Sequence, residues 1–449
     1  MTPTRGALAV AFAYLGIATA LSGVRPLWLD EILQLIHTRQ PSANELMVQL
    51  PLDTGAVPLG YIVQHASMKV TGFSLRRARL PAAVFGAATV LVVALLGTEL
   101  GLKSPLLAAI AFGGLPLMLR YATEARIYSQ GLFFSALATL IYVRLANRPS
   151  WAGASVYAAV LLAAIYSQPY AVSVGLAHLL WSVLHREWRV ALLGAAAIAV
   201  VAFAFLPWFL WSKAQWTRNI NLAAQHFSVS TKTPLVILRE LAGAGYVGTG
   251  ALLILSGLAI AGRRFASRTR SVLILLLAMP LVIPLAADAW FDYFIAARQF
   301  IWCLPAAAIL AAGACERRKT VTKTVTTTLA GLLGVACLWS SFRFFTGPHE
   351  DWEAAATALA GQVQRGACLV VAPSDQARLY EFFRPELRDA HCSGPRVVLA
   401  SSPYTTREER RATIARLLPA GYARESEVSI GKCAIELFEA HPKSVEARQ

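Results

Sequence analysis

Residues 6–24, GALAVAFAYLGIATALSGV, run directly into Arg25-Pro26-Leu27-Trp28-Leu29-Asp30-Glu31. The first string is uncharged and close to the roughly 20 residues that cross a bilayer. The second ends in two adjacent carboxylates. At the end of a span such a pair costs free energy unless it faces water, a cation or a substrate. A solvated pair capping a helix is the plain alternative, and the rest of the chain shifts the weight toward a site.

Working outward, the apolar string repeats at 81–98, 104–120, 129–146, 152–167, 169–184, 190–211, 247–262, 271–289, 299–315 and 325–342, which makes about eleven spans. Of 449 residues 56% are hydrophobic and 15% charged, and the mean hydropathy is +0.53, well outside the mix of a soluble domain. The fold class is therefore mainly α, a polytopic membrane protein. Orientation follows from the basic residues between spans. Arg5, Lys103, Arg144, Arg148, Arg186, Arg189, Arg263, Arg264, Arg268, Arg270 and the group Arg317, Arg318, Lys319, Lys323 agree on one side, the cytoplasm, with the N-terminus. Segments 25–80, 212–246 and everything after Ser341 then lie outside it. Ala18-Thr19-Ala20 passes for a signal-peptidase site, but the run before it serves equally as a first span.

Net charge becomes informative once divided. The tail from Arg343 holds 14 basic and 14 acidic residues, so the remainder, with 27 basic and 11 acidic, carries the whole +16. Positive-inside residues account for about half of those bases. The others, among them Arg39, Lys69, Arg76, Arg77, Arg79, Arg120, Arg126, Arg218 and Arg298, fall on the outer face. A basic outer surface around an acidic pair suits a site that holds a phosphate while a carboxylate works beside it. Nucleic acid is excluded as a partner, because the bases are spread over membrane loops and not gathered on one soluble element.

Within the first outer loop, Ile32–Leu50 alternates apolar and polar residues and is too polar to span, so it reads as interfacial helices broken at Pro41 and Pro51. A turn string, Asp53 to Tyr61, leads into an apolar-aromatic helix with His65 and Lys69, and Pro81 is placed as the first residue of the second span. The link Arg120 to Tyr128, carrying Glu124 and Arg126, is too short to leave the membrane surface. Ser167-Gln168-Pro169-Tyr170 is a tight turn. Segment 212–246, aromatic and basic, is read as an outer platform or lid, and the link Asp288–Gln299 gathers Asp292, Tyr293 and Arg298.

The statistics change after Ser341. Residues 343–449 read as a small α/β domain: helix 352–363, strand 368–372, helix 376–383, strand 396–400, helix 408–418 and strand 433–438, with Thr405 and Glu408 as a capping box. No Gly-rich loop follows a strand, so a nucleotide site is not supported, and a packing or partner-recruiting role is the expectation. Cys303, Cys315 and Cys337 fall in spans and Cys368, Cys392 and Cys433 in the tail. Neither set has CxxC spacing, and an oxidising compartment would permit one disulfide among the tail three.

In their order these features resemble the GT-C glycosyltransferases, in the branch similar to protein O-mannosyltransferases and the lipid A aminoarabinose transferase. The matching residues are Trp28-Leu29-Asp30-Glu31, Pro58-Leu59-Gly60-Tyr61, Arg79-Leu80-Pro81, Glu124-Ala125-Arg126-Ile127-Tyr128, Arg298, and a tail opening at Asp351-Trp352. The chain departs from relatives in carrying Ala56-Val57-Pro58 where they show a His-Pro-Pro-like string, so no role is carried over for that His.

The resemblance implies a domain of residues 1–342 in a bacterial inner membrane, transferring a sugar from a polyprenyl-phosphate donor to an acceptor on the outer face with inversion. On that reading Asp30 would be the catalytic base, with Glu31 beside it, and Arg126 and Arg298, then Lys69, Arg79 and Arg218, are the candidate ligands of the donor phosphate. Glu124, Tyr61, Tyr128 and Tyr293 are the further substrate contacts. A divalent cation is left open, with Asp30, Glu31 and Glu124 as its ligands. Two other classes compete. A transporter of lipid-linked sugars calls for internal repeats and charges in mid-membrane, and a structural or sensory protein would leave Asp30 without chemistry. No repeat is found, and the charges cluster in the outer loops.

Overall fold

The computed structural model describes residues 3–52, 56–223, 230–291, 296–316, 320–389, 395–417 and 421–440. The chain divides into two units, one of Met1–Ser22 with His37–Phe345, the other of Gly23–Ile36 with Thr346–Gln449. This differs from a simple cut near residue 342 in one place. The segment carrying Asp30 and Glu31 groups with the tail and not with the span it follows.

The helices in chain order are α1 (Pro3–Leu21), α2 (Leu29–Thr38), α3 (Ala43–Gln49), α4 (Pro58–Thr71), α5 (Leu75–Glu99), α6 (Pro105–Gly113), α7 (Pro116–Ala122), α8 (Tyr128–Asn147), α9 (Trp151–Ser167), α10 (Val172–Leu184), α11 (Trp188–Ala223), α12 (Thr233–Glu240), α13 (Gly245–Ala261), α14 (Ser267–Phe291), α15 (Leu304–Cys315) and α16 (Thr320–Thr346). Each apolar run of the sequence is helical. Among the described residues five helices, α5, α8, α11, α14 and α16, are long and apolar enough to cross a membrane. The bent pairs α6–α7 (69°) and α12–α13 (85°) pass together, while α1, α9, α10 and α15 are shorter apolar helices. The chain is a multi-pass membrane protein.

In the first unit α5 packs against α1, α6 and α8, α8 against α9, α9 against α11, α10 against α14, and α15 against α6 and α13. The two bends meet. Pro116 has no N–H to continue α6, and the Leu117 N–H donates to the Ala242 carbonyl at 3.2 Å. Gly243 there has φ +71, and a Cβ on it would lie 2.7 Å from the Leu117 nitrogen, so only glycine fits. The surface helices α2 and α3 break at Pro41 as expected from the sequence, and a 3-10 turn, Leu50–Leu52, follows α3. Pro81 is not the first residue of its helix. Ser74 accepts the Arg77 N–H at 3.3 Å and starts α5 earlier, leaving Pro81 inside it.

In the second unit the sheet has strands β1 (Cys368–Ala372), β2 (Arg396–Ser401), β3 (Tyr422–Ile430) and β4 (Cys433–Ala440) in the order β1-β2-β4-β3. The pair β1–β2 is parallel and the other pairs antiparallel. Helices α17 (Trp352–Gln364), α18 (Ala377–Glu381) and α19 (Arg407–Leu417) complete it. Trp352, Leu359, Tyr380, Val398, Leu399 and Phe438 are buried in its core. Strand β3 escaped the sequence pattern because it is an edge strand exposed on both faces, with no alternation of apolar and polar residues to show. The capping box is one residue later than expected. Thr405 donates to the Ala372 carbonyl, which ties it to β1, and Thr406 caps α19 instead, exchanging hydrogen bonds with Glu409 at 3.1 and 2.8 Å. Cys368 is disulfide-bonded and Cys433 is a buried free thiol; Cys392 lies outside the described residues.

Candidate active site

The acidic motif opens α2. The Glu31 and Ile32 N–H groups donate to the Trp28 carbonyl at 3.0 and 3.1 Å, so Trp28 occupies the capping position with Asp30 and Glu31 in the first turn. Carboxylates there complement the helix dipole. Glu31 is fully buried, and its Oε2 accepts the Trp28 N–H at 3.4 Å, the reach-back half of a capping box. Asp30, at the second position of the same turn, is only half-buried. The two acids are thus separated by environment. Glu31 holds the helix start, and Asp30 is the one left near solvent.

Tryptophan has no side-chain acceptor for the other half of the cap. The first N–H of the helix, on Leu29, donates instead to Glu350 Oε2 at 3.0 Å, a partner 321 residues away. The same oxygen accepts Trp352 Nε1 at 2.9 Å, and Glu350 Oε1 accepts the Tyr404 hydroxyl at 2.6 Å. Alongside, Arg25 Nε donates to His349 Nδ1 at 3.0 Å. Neither Glu350 nor Tyr404 was singled out from the sequence. The only signal was the position of Glu350 beside Asp351-Trp352 at the tail's opening.

In the first unit the short link between α7 and α8 gathers the second set of residues. Glu124 is buried and accepts Arg120 Nε at 2.8 Å. Arg120 also stands over the Phe344 ring, 5.2 Å from its centre. Arg126, half-buried, donates to the Tyr128 hydroxyl at 3.3 Å and lies 5.4 Å over that ring. Tyr121 and Tyr128 pack with centres 4.7 Å apart. Arg298 lies in the 3-10 turn Ala297–Gln299, 170 residues beyond Tyr128 in sequence. Gln299, next to Arg298, donates to the Tyr170 hydroxyl at 3.4 Å and so joins the Ser167–Tyr170 turn to the same end of the bundle.

The Pro58-Leu59-Gly60-Tyr61 motif meets this link too. A Cβ on Gly60 would lie 2.2 Å from Ile127 Cγ2, so glycine lets the first turn of α4 press against the residue preceding α8. Tyr61, buried with Ile127 and Trp208, packs edge-on to His37 with centres 6.3 Å apart.

The remaining sequence candidates divide. Lys69 is exposed and donates to the Pro41 carbonyl at 2.7 Å. Arg79 is only 2% exposed, and its Nη1 donates to the Ser22 carbonyl at 2.7 Å, tying α5 to the end of α1. The Arg218 side chain and Tyr293 lie outside the described residues, as do residues 224–229 of the 212–246 platform. Among the described residues no three His, Cys, Asp or Glu side chains form a group that could hold a metal ion.

Residues 55–211 match the family model described as dolichyl-phosphate-mannose-protein mannosyltransferase. The crystal structure of ArnT from Cupriavidus metallidurans in the apo state superposes with a TM-score of 0.59 at 12% identity, covering 96% of this chain and 97% of that one. The fold is that of the GT-C glycosyltransferases. The same protein bound to undecaprenyl phosphate gives a TM-score of 0.58, with the same identity and coverage. No curated protein matches the sequence. Inside this GT-C fold the matched segment takes in Pro58–Tyr61, Arg79–Pro81 and Glu124–Tyr128, and the acidic motif lies before it.

Proposed function

We propose that the chain is an inverting glycosyltransferase that moves a sugar from a polyprenyl-phosphate carrier to an acceptor hydroxyl on the extracytoplasmic face of the membrane. The observation that carries this is the mannosyltransferase family match over residues 55–211, which coincides with the motif segment around Gly60, Glu124 and Arg126. The GT-C fold supports it, and so does the relative of that fold whose crystal structure holds undecaprenyl phosphate.

In the proposed reaction Asp30 takes the proton of the acceptor hydroxyl as its oxygen attacks the anomeric carbon. The bond from that carbon to the phosphate oxygen breaks on the opposite face, which inverts the centre. Polyprenyl phosphate leaves with the bonding pair, and the proton ends on Asp30. Phosphate is a competent leaving group, so no acid is required. Arg126 and Arg298 are assigned to the charge that grows on the leaving phosphate, with Lys69 and Arg218 as outlying ligands. Arg79 is assigned a different part, as the tether to Ser22. Glu124 holds Arg120 and thereby the link that carries Arg126, while Tyr61, Tyr128 and Tyr293 are assigned to the substrate. No step is routed through a metal ion.

The test is consumption of a polyprenyl-phosphate sugar by the purified protein in lipid nanodiscs. Asp30→Asn is expected to lose turnover at least 100-fold, within the range a positioned base supplies, while donor binding persists. Arg126→Ala and Arg298→Ala are expected to weaken donor binding. Full turnover in Asp30→Asn would remove it as the base, and unchanged donor affinity in both arginine variants would leave them as helix anchors.

A further inference from the structure

Resting on that assignment of Asp30, we infer that Glu350 is a positioning residue for the transfer, and that holding the acidic turn of α2 is a task of the C-terminal domain. The four N–H groups that open a helix have no partner within it, and a Ser, Thr, Asp or Asn at the capping position normally takes one. Here that position is Trp28, preceded by Pro26 and Leu27, so the local sequence supplies no acceptor. Glu350 Oε2 supplies it for Leu29, the residue next to Asp30.

What makes Glu350 more than an incidental acceptor is how it is itself fixed. Its other contacts, Trp352 Nε1 and the Tyr404 hydroxyl, hold both oxygens. Trp352 is fully buried in the domain core, so that contact is anchored. The backbone is held as well. Glu350 forms a bridge with Gly431 in the turn between β3 and β4, and the Lys432 N–H donates to the His349 carbonyl at 3.0 Å. A Cβ on Gly431 would lie 2.3 Å from that carbonyl oxygen, and its φ is +58, so the turn closes on His349 only because residue 431 is glycine. The sheet thus fixes the carboxylate, and the carboxylate fixes the start of α2. A base displaced by an ångström loses much of its advantage, which gives the clamp a kinetic consequence.

The geometry predicts an unusual order among substitutions. In Glu350→Gln the amide oxygen can take the place of Oε2 and keep Leu29 and Trp352, while the amide nitrogen donates to the Tyr404 oxygen. All three contacts survive without the charge. Glu350→Asp keeps the charge but is one methylene short, and Glu350→Ala keeps neither.

The experiment uses the full chain in nanodiscs. Steady-state turnover of a polyprenyl-phosphate sugar is read together with hydrogen exchange of the peptide containing Leu29. Glu350→Ala and Glu350→Asp are expected to lower kcat by about 10- to 100-fold with the donor KM unchanged, and to speed exchange at Leu29. Glu350→Gln is expected to stay close to wild type in both. Slow exchange in Glu350→Ala would overturn the clamp, and fast exchange with full kcat would overturn the positioning role. Glu350→Gln as impaired as Glu350→Ala would overturn it in favour of charge. Turnover retained in Asp30→Asn would instead sink the base assignment, an outcome separate from these because Leu29 exchange does not depend on it.

Discussion

Gly60→Ala adds one methyl group at a close approach of two helix starts. The new Cβ would stand 2.2 Å from Ile127 Cγ2, 2.9 Å from Ile127 Cβ and 3.7 Å from its Cα. Carbon atoms pack at about 3.5–4.0 Å, so the nearest pair must separate by more than 1 Å. A rotamer change does not solve this, since Ile127 Cβ is itself too close and does not move with the side-chain torsion. The backbone at Ile127 has to yield. Ile127 directly precedes α8, between Arg126 and Tyr128, so a shift of about an ångström passes to both. Overpacking of this kind costs about 1–3 kcal/mol, and a misplacement of that size costs about 100-fold in rate when it reaches a reacting group. The assay is turnover in nanodiscs alongside the thermal midpoint. Turnover is expected to fall by one to two orders of magnitude, with a small drop in the midpoint. Ile127→Ala in the same background removes Cγ2 but keeps Cβ at 2.9 Å, and should recover part of the loss. Wild-type behaviour of Gly60→Ala, or a double variant no better than the single, would refute the close-contact account of the motif.

Other outcomes follow for the C-terminal domain. Thr406→Ala removes the side-chain acceptor for Glu409 and should cost about 1 kcal/mol, read by urea titration followed by limited proteolysis. Thr405→Ala leaves that cap intact and acts only through its bonds to β1 and Ser402. Glu436 is fully buried against Arg410, with Arg424 at 3.5 Å. Arg410→Ala should cost about 2 kcal/mol, below the usual loss for a stranded buried charge, since Arg424 remains and Arg410 is partly solvated. Burial pushes the Cys433 thiol up to about 12, with the nearby Glu350 carboxylate adding to it. A group whose folded value is raised stabilises the fold fully below its unfolded value, about 8.5 for a thiol, and loses that contribution as pH climbs toward the folded value. Alkylation of Cys433, mapped by mass spectrometry in the full chain, should stay slow and flat through pH 9 and accelerate in denaturant. A rise with a midpoint near 8.5 in the folded protein would contradict its burial.

The elements were legible wherever a local pattern decided them. The apolar runs became helices, that at 104–120 as the bent pair α6–α7, because long apolar stretches leave the backbone little choice. Strand β1 matched residue for residue, since Cys368–Ala372 is a short apolar run buried on both faces. The failures were those of single-position detail and of surfaces without a face. Pro81 sits inside α5 because Ser74 offered an earlier cap, and β3 has no buried side to leave a period in the sequence.

What the sequence determined by itself was a membrane bundle with an acidic motif at the start of α2, since hydropathy, charge placement and turn residues act over a few residues at a time. Tertiary structure alone decided which distant residues answer to one another. It set Gly60 against Ile127, Gln299 against Tyr170, and Glu350 under the first turn of α2. The physical reason is the same in each case. Steric exclusion and hydrogen bonding reach only a few ångströms through space, and only the folded chain determines which residues lie that close. Glu350 shows it most plainly, because nothing in the sequence joins it to Leu29, 321 residues away.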